Sequence, residues 1–317
     1  MNEKTPFIRI AKREDLPKSR IWMIRAIAFA VAILLGALIF LIAGTNPFTA
    51  YGTIITSSLG KITGIRQVIK IAVPLLGTAL ALAPCFAMRF WNIGGEGQIT
   101  MGAVAASFFA LNFAKTIPSP ILLLLMGIFA MVFGAMWAAI PAAFKARWGT
   151  NETLFTLMMN YIAIGIVGWL QGGPWEGKPG SQIIPLFDSA AVLPQVLGVH
   201  CGWIIVLLLT AFMFVYMNYT KQGYEIAVLG ESENTARYAG MNVTRVTLRT
   251  ACISGAICGL VGFMVCSGAN MTLYSDVADG VGFTAIVVCW LAQFNPFAMI
   301  AISLLLAVLD QGASALQ

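Results

Sequence analysis

The sequence predicts an all-α polytopic membrane protein, and three observations carry that prediction. Of its 317 residues, 59% are hydrophobic and only 10% are charged, whereas a soluble domain carries about 25% charged residues. Mean hydropathy is +0.85. The apolar runs are long and do not alternate, so they suit membrane helices and not the alternating segments of about 10 residues that build a barrel.

Charge and motif content exclude other classes. Net charge is +6, but the basic residues gather at the ends of apolar runs, where they set topology and meet lipid phosphates. No nucleic-acid partner is expected. The cysteines at 85, 201, 252, 258, 266 and 289 form no CxxC pair, and most lie within apolar runs, where cysteine acts as a small hydrophobe. With His200 as the single histidine, no metal site is expected. The sequence holds no GxxxxGK[ST] phosphate loop, no nucleophile elbow and no HExxH. Neither a cofactor nor catalysis is therefore expected of this chain, and any ATP would be bound by another.

The elements follow in order. Residues 1–20 form a polar, basic tail, expected to be cytoplasmic. Trp22–Ala43 is longer than the roughly 7–15 residues of a signal-peptide core and reads as a retained first helix. Phe48–Leu59 is a short interfacial segment. Val68–Met88 spans, with Pro74 and Pro84 inside it. Gln98–Phe113 and Ile121–Ala143 come next, the latter closed by Lys145 and Arg147. Asn151–Leu170 follows, then a turn-rich stretch over 171–200. Trp203–Tyr219 and Thr250–Ser267 flank a charged island, Lys221–Arg249. Val281–Leu291 and Pro296–Leu309 are short. Together these predict a single membrane domain, 1–317, with about 8–10 transmembrane or re-entrant helices. Alternation from a cytoplasmic N-terminus places Arg89, Lys145, Arg147 and the island inside, as the positive-inside rule asks. Lys61, Arg66 and Lys70 form a basic cluster that breaks the pattern.

Polar residues at membrane depth are the candidate functional groups. Asn92-Ile-Gly-Gly-Glu-Gly-Gln98 sets Asn92, Glu96 and Gln98 among glycines, whose broken backbone is tolerated at depth only against protein or a wet cavity. Such groups bind a polar solute or lock helices together. Glu152, Thr156 and Asn160 recur at four-residue spacing and share one helix face. A carboxylate inside a span marks a functional site; alternatively, Glu152 sits in a first turn capped by Asn151. Asp276 and Asp279 share one loop, which argues against a protease dyad on facing helices; Asp276 reads as a loop cap. Gly127, Gly134 and the Gly255/Gly259 pair predict close helix packing within the chain. In the island, Tyr224–Leu229 suits a short helix stopped by Gly230. A second is capped by Ser232 or Asn234 and runs to Ala239, with Gly240 in the left-handed position beyond it. Thr244 is expected to cap the next span.

Four stretches in order carry a family resemblance: Asn92–Gln98; Asn151-Glu152 with Thr156-Leu-Met-Met-Asn-Tyr161; Ala236-Arg-Tyr-Ala-Gly240; and Gly280-Val-Gly-Phe283 followed by Asn295-Pro296. Together they make the chain, from about residue 30 onward, resemble permease subunits of bacterial ABC importers in the ribose/branched-chain amino acid permease superfamily. The wording is most similar to the nucleoside branch that works with BMP-type lipoproteins. The resemblance implies a type II architecture like that of the vitamin B12 importers, in the cytoplasmic membrane. It also implies an ABC ATPase subunit, a second and different permease chain, and an extracytoplasmic substrate-binding lipoprotein as partners. The cargo implied is a nucleoside or related ribose-containing solute, with a sugar or branched-chain amino acid as the alternative; apart from the resemblance, an ion-coupled carrier is the less favoured reading of the chain. Asn92, Glu96, Gln98, Glu152, Thr156 and Asn160 are then expected to line or gate the path. Glu225, Gly230, Glu231, Asn234, Ala236, Arg237 and Gly240 are expected to couple to the ATPase. Two departures stand out. Trp290-Leu-Ala-Gln293 replaces a glycine-containing step, and the sequence stops at Gln317, so a C-terminal helix is expected to be missing.

Overall fold

The computed structural model describes residues 17–316; the basic tail before residue 17 lies outside them. α1 (Lys18–Ile42) begins within the predicted tail and is followed by α2 (Pro47–Leu59) at a bend of 110°. The bend falls where the sequence asks for it: the Asn46 side chain accepts from the Phe48 N–H at 3.0 Å, and Pro47 opens the helix. α3 (Ile62–Ala87) contains both prolines. It starts earlier than the predicted Val68, because Arg66 interrupts the apolar pattern without interrupting the helix. α4 (Gly95–Phe113), α5 (Ser119–Trp148) and α6 (Glu152–Gln171) follow. α5 ends on Gly149 at φ 65°, with Lys145 and Arg147 in its last turn, where cations suit the helix dipole.

A two-stranded hairpin, β1 (Gln195–Val196) with β2 (Val199–His200), precedes α7 (Gly202–Tyr219). Two short helices fill the charged island, α8 (Lys221–Glu231) and α9 (Glu233–Tyr238). α10 (Val243–Met264) runs into a π-helical turn over Val265–Asn270. α11 (Val281–Leu291) has the predicted bounds, whereas α12 (Pro296–Ser314) outruns its prediction. Among the described residues, six helices (α3, α5, α6, α7, α12, and α10 with its π turn) are long and apolar enough to cross a membrane; α1 from Ala26 with α2 makes a seventh if the bent pair is one span. α4 and α11 complete the bundle.

The core is built on a seam of small residues. α10 packs against α5 and α4, and at each contact a glycine faces backbone. A Cβ on Gly255 would overlap the Gly134 carbonyl, one on Gly259 the Ala130 carbonyl, and one on Gly262 the Ile99 carbonyl. Gly134 and Gly102 meet the same seam from the other side. The Gly255/Gly259 pair therefore serves packing within the chain, as expected. The outer surface is apolar instead of polar: Leu124, Met158 and Leu208 are each more than 60% exposed, which a lipid solvent accommodates.

Candidate functional site

Between α3 and α4 the chain turns through Arg89, held at φ 60°, into the glycine-rich segment. Its polar side chains are buried and nearly all are partnered. Asn92 Oδ1 accepts from the Gly94 N–H and from Gln98 Nε2, each at 3.0 Å. Asn92 Nδ2 donates to Ser254 Oγ of α10 at 3.3 Å. From α6, Asn160 accepts the Gly97 N–H at 2.8 Å and donates to the Ile93 carbonyl at 3.0 Å. Thr156 Oγ1 accepts from the Ile93 N–H at 3.2 Å. Gly97 is required here, since a Cβ would stand 2.9 Å from Asn160 Oδ1. Glu96 reaches across to α11: its two carboxylate oxygens accept the Gly280 and Gly282 N–H groups at 2.9 and 2.8 Å. Orphan amides at the start of α11 are thus capped by a carboxylate from another helix, where the dipole favours negative charge.

The segment is therefore a joint fastening α4, α6, α10 and α11. Five of the six expected path or gate residues meet in it: Asn92, Glu96, Gln98, Thr156 and Asn160. Glu152 does not. It occupies the first turn of α6, capped by Asn151, and its Oε2 lies 2.8 Å from Lys145 Nζ.

A polar cavity of about 520 Å³ lies beside the joint, between α3, the π-helical turn, the loop before α11, and α12. Gln67, Lys70, Asn270, Tyr274, Asp279 and Asp310 line it, and none of the six expected residues does. Asn270 Nδ2 donates to the Tyr274 hydroxyl at 3.2 Å. Asp279 is held at φ 49° immediately before Gly280 at φ 70°, so Glu96 anchors the loop that forms the cavity wall. Burial, then the neighbouring Asp276 and Asp310, push the Asp279 carboxyl above its ordinary range. Burial, then Asp279 and Asp276, likewise push the Tyr274 phenol up. Asp276 does not act as the expected loop cap: among the described residues its carboxylate accepts no hydrogen bond, and the turn closes by the Asp279 N–H donating to the Asp276 carbonyl at 3.1 Å. Asp310 carried a readable signal, a carboxylate in an apolar run. Asn270 and Tyr274 carried none.

The charged island folds as a compact knob. Gly230 does not stop the first helix, which continues to Glu231; glycine is needed because α8 presses there on the Ala87 carbonyl. Ser232, not Asn234, caps α9, accepting the Thr235 N–H at 3.3 Å. Asn242, not Thr244, caps α10. Glu225 pairs with Arg249 at 2.8 Å, half-buried, and ties α8 to α10. The exposed Glu233–Arg237 pair, at 2.6 Å, is an i,i+4 contact worth about 0.3–0.5 kcal/mol. Ala236 is buried, Asn234 and Glu231 are exposed, and Gly240 sits at φ 75°. Glu152 joins this end of the molecule: with Arg89, Lys145, Glu231 and Arg237 it lines a cleft of about 530 Å³.

A multi-pass helical membrane protein with a buried polar joint, a polar cavity beside it and a charged knob has the features of a transport permease. The chain belongs to the family described as "Branched-chain amino acid transport system / permease component", which matches residues 64–317. Among its relatives, the glucose ABC transporter permease protein TsgB13 of Haloferax volcanii is 29% identical, covering 98% of this chain and 85% of that one. The nucleoside ABC transporter permease protein NupB of Lactococcus lactis is 29% identical over 93% of this chain and 85% of its own. The guanosine ABC transporter permease protein NupP of Bacillus subtilis is 30% identical over 92% and 85%. No solved structure matches significantly. The family that the four motifs resemble is thereby confirmed.

Proposed function

We propose that this chain is the membrane permease of an ATP-driven importer that carries nucleosides or related ribose-containing solutes across the cytoplasmic membrane, with its N-terminus inside. The similarity to NupB and NupP over more than nine-tenths of the chain carries this reading. The cavity chemistry agrees with it: carboxylates accept from ribose hydroxyls, an amide pairs with base edges, and Tyr274 offers a ring to stack on. An ATPase subunit docks on the α8–α9 knob, a second, different permease completes the path, and a lipoprotein delivers cargo from outside. The cavity at Asp279 and Asp310 is the solute's passage. The joint of Asn92, Glu96, Gln98, Thr156 and Asn160 is its gate, because it fixes the loop bearing Asp279. Glu152 works at the knob end, beside Glu231 and Arg237. Similarity to TsgB13 favours a second reading, with a hexose as cargo.

The test is uptake by the complete importer in proteoliposomes. Labelled guanosine should accumulate only with ATP inside, and unlabelled nucleosides should compete while glucose does not. Asp279→Asn and Asp310→Asn should each lower uptake about tenfold, the scale of one charge-assisted hydrogen bond. Accumulation of glucose and not guanosine would establish the hexose reading, and uptake without ATP would establish a carrier.

A further inference from the structure

Of the basic cluster that breaks the charge pattern orienting the chain, Lys70 lines the passage, whereas Lys61 and Arg66, at the start of α3, belong to neither the passage nor the knob. Arg66 lines a second, quite different cavity. Between α3, α7 and α12 runs a groove of about 510 Å³, walled by side chains such as Ile65, Ile69, Trp203, Leu207 and Ile300. The hairpin overhangs its mouth. There Arg66 Nε donates to the Leu197 carbonyl at 3.0 Å. The hairpin turn is shaped around this contact: Leu197 and Gly198 sit at φ 58° and 82°, and a Cβ on Gly198 would overlap the Arg66 guanidinium. The guanidinium is thus pinned at the mouth, and among the described residues no carboxylate pairs with it. Lys61, exposed at the same end of α3, is likewise unpaired.

We infer that this groove is a binding site for an anionic phospholipid. A fixed cation at the rim and an apolar trough below it call for a ligand with an anionic head and an aliphatic tail. Arg66 holds the phosphate with the amino groups its hairpin contact leaves free, since guanidinium matches phosphate geometry. Lys61 adds a second charge. The acyl chain lies along the isoleucines of α3. Lys61 and Arg66 stand on the unexpected side because they bind lipid, not because they orient the chain.

The permease complex purified in detergent decides this by native mass spectrometry, with phosphatidylglycerol and phosphatidylcholine of identical acyl chains added together. Wild type should retain phosphatidylglycerol about fivefold over phosphatidylcholine, the order that one basic group contributes near anionic lipid. Arg66→Gln should bring the ratio close to one. Arg66→Lys loses the hairpin contact as well but keeps the charge, and should retain most of the preference, which separates headgroup binding from support of the hairpin. Lys178→Gln, a basic residue that does not line the groove, should leave the ratio unchanged. Equal retention of both lipids by wild type overturns the inference. So does an unchanged ratio in Arg66→Gln, competition by inorganic phosphate alone, or occupation of the groove by a second copy of the chain.

Discussion

Glu96 shows what a single residue contributes. Its two oxygens receive two backbone amides nearly two hundred residues downstream, so one side chain fixes both the start of α11 and the loop bearing Asp279. Glu96→Ala would leave the buried Gly282 N–H without an acceptor, at about 1–3 kcal/mol, and would free the partly exposed Gly280 N–H to water at a smaller cost. Thermal unfolding of the purified variant should show that loss, together with reduced uptake. Glu96→Gln keeps one acceptor and should fall between. The sequence exposed Glu96 as a carboxylate among glycines, but its role was open, because hydrogen bonding to remote backbone leaves no trace in local spacing. The same limit hid the strain after α11. Gln293 and Phe294 both adopt left-handed backbone, at φ 51° and 60°, just beyond the point where the sequence departs from a glycine-containing step. The departure was legible; the conformation it imposes was not.

Among the elements, α10 is the one on which the others depend. Its Gly255, Gly259 and Gly262 let α5 and α4 approach to backbone contact, a geometry that any side chain would prevent. Gly259→Leu should lower the melting temperature sharply and reduce the yield of folded protein. Gly165→Leu is the control: a Cβ there meets nothing within 4 Å, and near-normal stability is expected. The GxxxG spacing made this seam readable in advance. Helix limits were less readable where charges enter the first turns, as at Arg66 in α3 and at Arg245 and Arg249 in α10. Hydropathy reports the solvent that a residue prefers, whereas the helix is continued by backbone hydrogen bonds that charged side chains do not disturb.

The whole molecule separates its chemistry between two ends. One carries the cavity of Asn270, Tyr274, Asp279 and Asp310, and the other carries the knob with Glu225, Ala236 and Gly240. Ala236 is buried inside the knob and Gly240 holds a φ that proline cannot adopt. Ala236→Trp or Gly240→Pro should leave membrane insertion intact while ATP hydrolysis proceeds without uptake in the reconstituted importer. Coupled transport at the wild-type rate would show that the knob does not transmit the stroke. The knob could be found from its charge alone. The cavity could not, since its walls come from three distant parts of the chain and only the fold brings them together.

The π-helical turn that ends α10 has a mechanical consequence. Upstream, the glycine seam packs the helix against two neighbours at backbone contact. Downstream, Val265–Asn270 runs one residue out of step with the α-helical ladder. Returning that turn to ordinary register would swing everything beyond it by about 100° around the axis, the angle of one α-helical residue, while the seam stayed still. Asn270 sits at the end of that swing, on the wall of the cavity. A one-residue shift of that kind would move Asn270 at the cavity wall while leaving the packing upstream in place, at the cost of the hydrogen bonds that tie Ser267 and Met271 to the loop before α7.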